Sequence, residues 1–111
     1  MPKRSSQLLI IDILDAIKKI EKYSKGIDYK AFSKDDKTID AVCRNFEIIG
    51  EAANRLPEEL LKKYHKIEWH KIIGLRNRIV HGYFGVDTEV LWEIIQKYLP
   101  TLKVEIKSIK D

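Results

Sequence analysis

Apolar residues recur at three- and four-residue intervals along almost the entire chain, and few glycines or prolines interrupt them. That period belongs to a helix with one buried face, since 3.6 residues complete a turn. A half-buried strand needs strict alternation, and no segment shows it. The pattern predicts an all-α fold: an antiparallel helical bundle formed by one domain over residues 1–111.

The elements can be placed from the same pattern. A first helix is expected from Ser6 to Lys25, with Ile10, Ile13, Leu14, Ile17 and Ile20 on its buried stripe. Ser5 or Ser6 can cap its start and Gly26 can end it. A connection with a short helical turn follows. The second long helix should run from Asp36 to Leu56 on Ile39, Val42, Cys43, Phe46, Ile49, Ala53 and Leu56. Asp40 with Arg44, and Glu51 with Arg55, are four apart and suited to pairing. Gly50 inside this helix suggests close approach by another one. Pro57 opens a short helix, a fourth runs from Trp69 to His81, and a fifth starts after the N-cap Asp87. Pro100 should kink that last helix or start a new segment.

Composition narrows the function. Lys and Arg outnumber Asp and Glu by 21 to 17, a net charge of +4 that permits a polyanionic ligand without demanding one. One cysteine, Cys43, excludes an internal disulfide and a cysteine-rich zinc site. His65, His70 and Glu68 form no compact ligand set, so neither a metal nor a cofactor is expected. The longest apolar run, Leu8 to Ile11, is too short to span a bilayer, and no secretory pattern opens the chain. These features suggest a cytoplasmic protein with no membrane contact. A chain of 111 residues can bury only a modest core and gains from a partner subunit.

The stretch "RNRIVHGYFG", Arg76 to Gly85, concentrates polar chemistry at an expected helix end. On a continuous helix Asn77 and His81 would lie about 40° apart, with Arg78 nearby. Arg76 would fall on a different flank, beside Trp69, Ile73 and Val80, while Ile72, Leu75 and Ile79 make the better core stripe. A cation on an apolar flank needs an anion or a partner chain. His81 near a helix C-terminus could take and give a proton. These groups suit RNA cleavage within the chain: a base removes the ribose 2′-OH proton and an arginine offsets phosphoryl charge. Because Arg76 and His81 diverge on one helix, a two-fold dimer would be needed to bring both to one phosphate. The same spacing also fits a solvated helix end, where the dipole favours basic residues.

The larger pattern is more specific. "RNRIVHGY" resembles the Arg-x4-His-x-Tyr motif of HepT-like toxins in the HEPN superfamily, and "AVCRNFEIIGEAANRL" resembles that family's second long helix, with Gly50, Glu51 and Ala52 as its signature. "WHKIIGLRNRIVHGYFGVD" and "VLWEIIQKYLPTLK" extend the resemblance through the C-terminal half. It implies a HEPN-like helical homodimer and a metal-independent endoribonuclease in a toxin–antitoxin system. Arg76 would bind phosphate, His81 would act as base or acid, and Asn77 would orient either. Glu51 and Arg78 are candidate supporting residues. Tyr83 matches the tyrosine that a minimal nucleotidyltransferase, the antitoxin, adenylylates; the added AMP would block RNA by bulk and charge. The alternative is a non-catalytic, nucleotide-sensitive partner of that transferase.

Overall fold

A computed structural model describes residues 4–80 and 85–110. Among these residues every regular element is helical, and the only β-type pairing is an isolated antiparallel bridge between Val80 and Val86. The molecule is the helical bundle that the periodicity predicts.

Two long helices carry the scaffold. α1 spans Ser6–Ser24, and Ser5 caps it by accepting the Leu8 N–H through its hydroxyl. The chain leaves the helix at Lys25 and turns through Gly26 at φ +77°, a backbone region that favours glycine. α3 spans Asp36–Arg55, with the Asp35 carboxylate accepting the Thr38 N–H. These two helices pack most extensively against each other. The α1 stripe is rotated from the expected one: Leu9, Ile13, Ala16, Ile17 and Ile20 are buried, whereas Ile10 and Leu14 are half-buried at its edge. Small Ala16 is buried on this inner face. Neither four-apart pair expected on α3 forms: no ion contact within 4.0 Å joins Asp40 to Arg44 or Glu51 to Arg55. Exposed pairs gain little and lose side-chain freedom, so spacing alone does not close them.

The rest of the chain is short pieces docked on that pair. α2 (Tyr29–Ser33) sits between α3 and α7 (Thr88–Glu93), with its Tyr29 hydroxyl 3.0 Å from that of Thr88. Phe32 and Trp92 pack beside them with ring centroids 5.0 Å apart and planes tilted by 41°, which makes Trp92 a packing residue. α4 (Glu58–Lys63) follows Pro57, which occupies the cap position just before the helix. The expected helix from Trp69 to His81 is replaced by α5 (Trp69–Ile73) and α6 (Leu75–Ile79), broken at Gly74. Glycine weakens a helix by about 1 kcal/mol relative to alanine, and a Cβ at Gly74 would lie 3.1 Å from the His70 carbonyl. Ile72, Leu75 and Ile79 still point inward and are essentially fully buried, as their spacing predicts.

α7 begins after Asp87, which caps it through the Val90 N–H. It then passes through a π-helical turn, Ile94–Tyr98, into α8 (Leu99–Lys107). Pro100 has no N–H to donate into the preceding turn; it stands in the first turn of α8, so the new segment expected at this proline starts here, joined to α7 through the widened turn. α8 returns to α1, and Lys103 reaches Glu21 at 3.0 Å.

Candidate functional site

The site begins with a notch in α3. Gly50 faces the end of α5, where a Cβ would approach the Ile73 and Ile72 carbonyls at 3.2 and 3.4 Å. Only hydrogen lets the two backbones come this close, which is the use expected of a glycine inside an amphipathic helix. Beside the notch lies a hollow of about 370 Å³. Phe46 lies at its base, Glu47, Glu51 and Asn54 line it from α3, and Ile73 and Arg76 line it from α5 and α6.

Arg76 was expected to need an anion, and it finds one in its own chain. Its Nε donates to Glu47 Oε1 at 3.0 Å, and both groups remain substantially exposed. The contact uses the side of the guanidinium and leaves the fork of its outer nitrogens available for a second acceptor. Glu47 was not singled out from sequence. The readable signal was that Glu47 and Glu51 are four apart on α3 and flank Gly50, so all three mark one face.

The other expected residues fall differently. Glu51 shares the hollow with Arg76. Asn77 is exposed on the crest of α6, and its backbone N–H closes the turn on the Gly74 carbonyl. Arg78, two residues beyond Arg76 and about 200° further round a helix, lines a separate hollow with Lys71, Lys97 and Tyr98. His81 and Tyr83 lie outside the described residues. Val80 is already extended, with ψ 128°, so the helical register that put Asn77 and His81 on one face stops before it. The flanks of 81–84 are tied together by the Val80–Val86 bridge and by the Asp87 N–H on the Ile79 carbonyl at 2.8 Å.

The family profile described as "Ribonuclease HepT-like" matches residues 13–109, a span containing both long helices, the notch and the Arg76 segment. The chain belongs to the ribonuclease HepT-like family. A protein of Thermococcus cleftensis named as a probable ribonuclease HepT is 36% identical over 97% of this chain and 98% of its own length. A Methanocaldococcus jannaschii protein named as a candidate RNase is 37% identical over the full chain and 89% of its own length. A second candidate RNase, from Caldanaerobacter subterraneus, is 42% identical over 77% of this chain and 76% of its own. No solved structure matches the chain. Among the described residues, no helix of this HepT-like protein is long and apolar enough to cross a membrane.

Proposed function

We propose that this HepT-like protein is a metal-independent endoribonuclease and the toxin of a toxin–antitoxin pair. Arg76 and His81 from two subunits act on one phosphodiester. The observation that carries this reading is the Arg76 guanidinium, held by Glu47 at the mouth of the Gly50 hollow with its fork open, five positions before the motif histidine. His81 takes the proton from the ribose 2′-OH. The oxygen attacks phosphorus, the bond to the 5′-oxygen breaks, and that oxygen leaves with a proton from the acid form of the partner's imidazole. The products are a 2′,3′-cyclic phosphate and a free 5′-hydroxyl. Arg76 offsets the charge that develops on the phosphoryl oxygens, and Asn77 orients His81 or the phosphate. The nucleophile comes from the substrate, so the step needs no metal.

A homodimer is part of this reading. Ile73 is an exposed aliphatic residue lining the same hollow as Arg76, and Leu8 and Ile11 are further exposed aliphatic residues on α1. A second copy would cover apolar surface that a small chain cannot bury alone. Regulation would come from a minimal nucleotidyltransferase that adds AMP to Tyr83. The cytosol is the compartment where RNA and such a partner meet.

The test is cleavage of RNA by purified protein in EDTA. Arg76→Ala and His81→Ala should each abolish cleavage while light scattering still reports a dimer. Cleavage that survives either substitution removes the catalytic assignment. Intact mass of the protein produced with and without the transferase tests the regulation: AMP-sized gains should vanish in Tyr83→Phe.

A further inference from the structure

The two sides of α6 differ in how their arginines are partnered. The Arg76 hollow contains one arginine against Glu47 and Glu51. The Arg78 hollow, about 300 Å³, has three cations at its edge, Lys71, Arg78 and Lys97, against the single carboxylate of Glu93. Lys97 meets Glu93 only at 3.6 Å, and both are well exposed. Lys71 is held by Glu68 at 3.1 Å. Among the described residues, no carboxylate lies within 4.0 Å of Arg78. Ile94 and the half-buried Tyr98 also line the hollow. Burial, then Glu105 and Glu68, push the Tyr98 phenol up to about 12, with Arg78 opposing them. At neutral pH the phenol therefore keeps its proton and can donate it to an acceptor oxygen.

We propose that the Arg78 hollow is an anchoring subsite for a backbone phosphodiester of single-stranded RNA, separate from the linkage that is cut. The inference rests on the ribonuclease reading above. Glu68 offsets Lys71 and Glu93 offsets Lys97, so the guanidinium of Arg78, with no carboxylate within 4.0 Å among the described residues, is the cation whose fork is left to a phosphate at this concave, partly apolar site. Arg78 leaves α6 on the side opposite Arg76, so a strand contacting both passes over the exposed crest that carries Asn77. Lys71 and Lys97 widen the field, while Arg78 and Tyr98 supply directed donors.

The experiment is equilibrium binding of a labelled, fully 2′-O-methylated twelve-nucleotide single strand in EDTA, at several salt concentrations. This probe lacks the nucleophilic hydroxyl, so it reports binding whether or not the protein cleaves RNA. Arg78→Ala should weaken binding about fivefold near 0.1 M salt and reduce the salt slope by about 0.7, the value for one lost phosphate contact on a single strand. Lys97→Ala should weaken binding less. Arg78→Lys should restore the slope and thereby separate charge from misfolding. Wild-type affinity and slope in both alanine variants overturn the inference, as does a wild-type protein that does not bind the strand. Loss of transferase association with unchanged RNA binding also overturns it, and makes the hollow a protein-docking face. Cleavage of unmodified RNA is measured in parallel. Cleavage without an Arg78 effect on binding removes only this inference, whereas Arg78-dependent binding without cleavage removes the ribonuclease reading and reduces the hollow to an RNA-binding site with no cut linkage beside it.

Discussion

α1 and α3 differ from the region beyond Trp69 in how their shape is held. The long pair has 19 and 20 residues in unbroken helices, each capped by a side chain and sealed along one stripe. The later region opens with two five-residue helices separated by a glycine break, and after the bridge continues as six- and nine-residue helices joined by a π-turn. Helices this short are unstable alone and persist only by docking. The proposed chemistry sits on these short pieces, while the long pair supplies the notch that receives them. Rigid support and adjustable polar groups are thus assigned to different halves.

The largest effect that would separate the halves is on catalysis. On the proposed reading, Arg76→Ala should lower the rate of RNA cleavage by about a thousandfold, with an unchanged denaturant midpoint. A large fall in midpoint would show that Arg76 supports the fold instead. The converse variant lies in the long pair. Ile17 is fully buried, and Ile17→Ala should destabilise the protein by about 3 kcal/mol through lost burial and a residual cavity. Its cleavage rate, measured well below the melting temperature, should stay near that of the wild type.

Cys43 probes the long pair from a different direction. Burial first, then Asp40 and Glu47, push its thiol up to about 11 from the ordinary 9.0. The difference of about two units leaves roughly a hundredfold less thiolate at pH 8 than in the unfolded chain, with alkylation by iodoacetamide slowed at least as much. The native state holds this proton more tightly than the unfolded state. The associated stability is complete below pH 9 and is lost as pH rises from 9 toward about 11. Alkylation at the unfolded rate would show that α3 opens locally.

The junction between halves should respond to Gly50→Val. A Cβ there already meets the Ile73 and Ile72 carbonyls at 3.2 and 3.4 Å and the added methyls bring more bulk to the same notch, which should cost about 2 kcal/mol and displace α5. A variant of wild-type stability and activity would show that the notch is not needed. The smallest effect belongs to Lys103→Ala, which removes a partly exposed pair with Glu21 and should lower stability by about 0.5 kcal/mol, read from urea unfolding.

Much of this architecture was legible before any coordinates. The caps at Ser5 and Asp87, the α3 face, and the inward set Ile72, Leu75 and Ile79 all follow from residues within about one turn of each other. Gly50 was legible too, because a glycine inside an amphipathic pattern has few reasons to be there. The break at Gly74 was not, since an isolated glycine can also be tolerated within a helix. The site was only half visible: Arg76 was marked as a cation needing an anion, but Glu47 was missed.

The sequence by itself determined where most helices start and the inward stripes of α3 and of Ile72, Leu75 and Ile79, because capping and periodicity act over three to four residues. The tertiary structure alone decided that Arg76 meets Glu47, 29 positions away, and that Arg78 turns to Lys97 on the other side of α6. Those choices depend on how separate helices dock, and docking is fixed by shape and burial across the whole core.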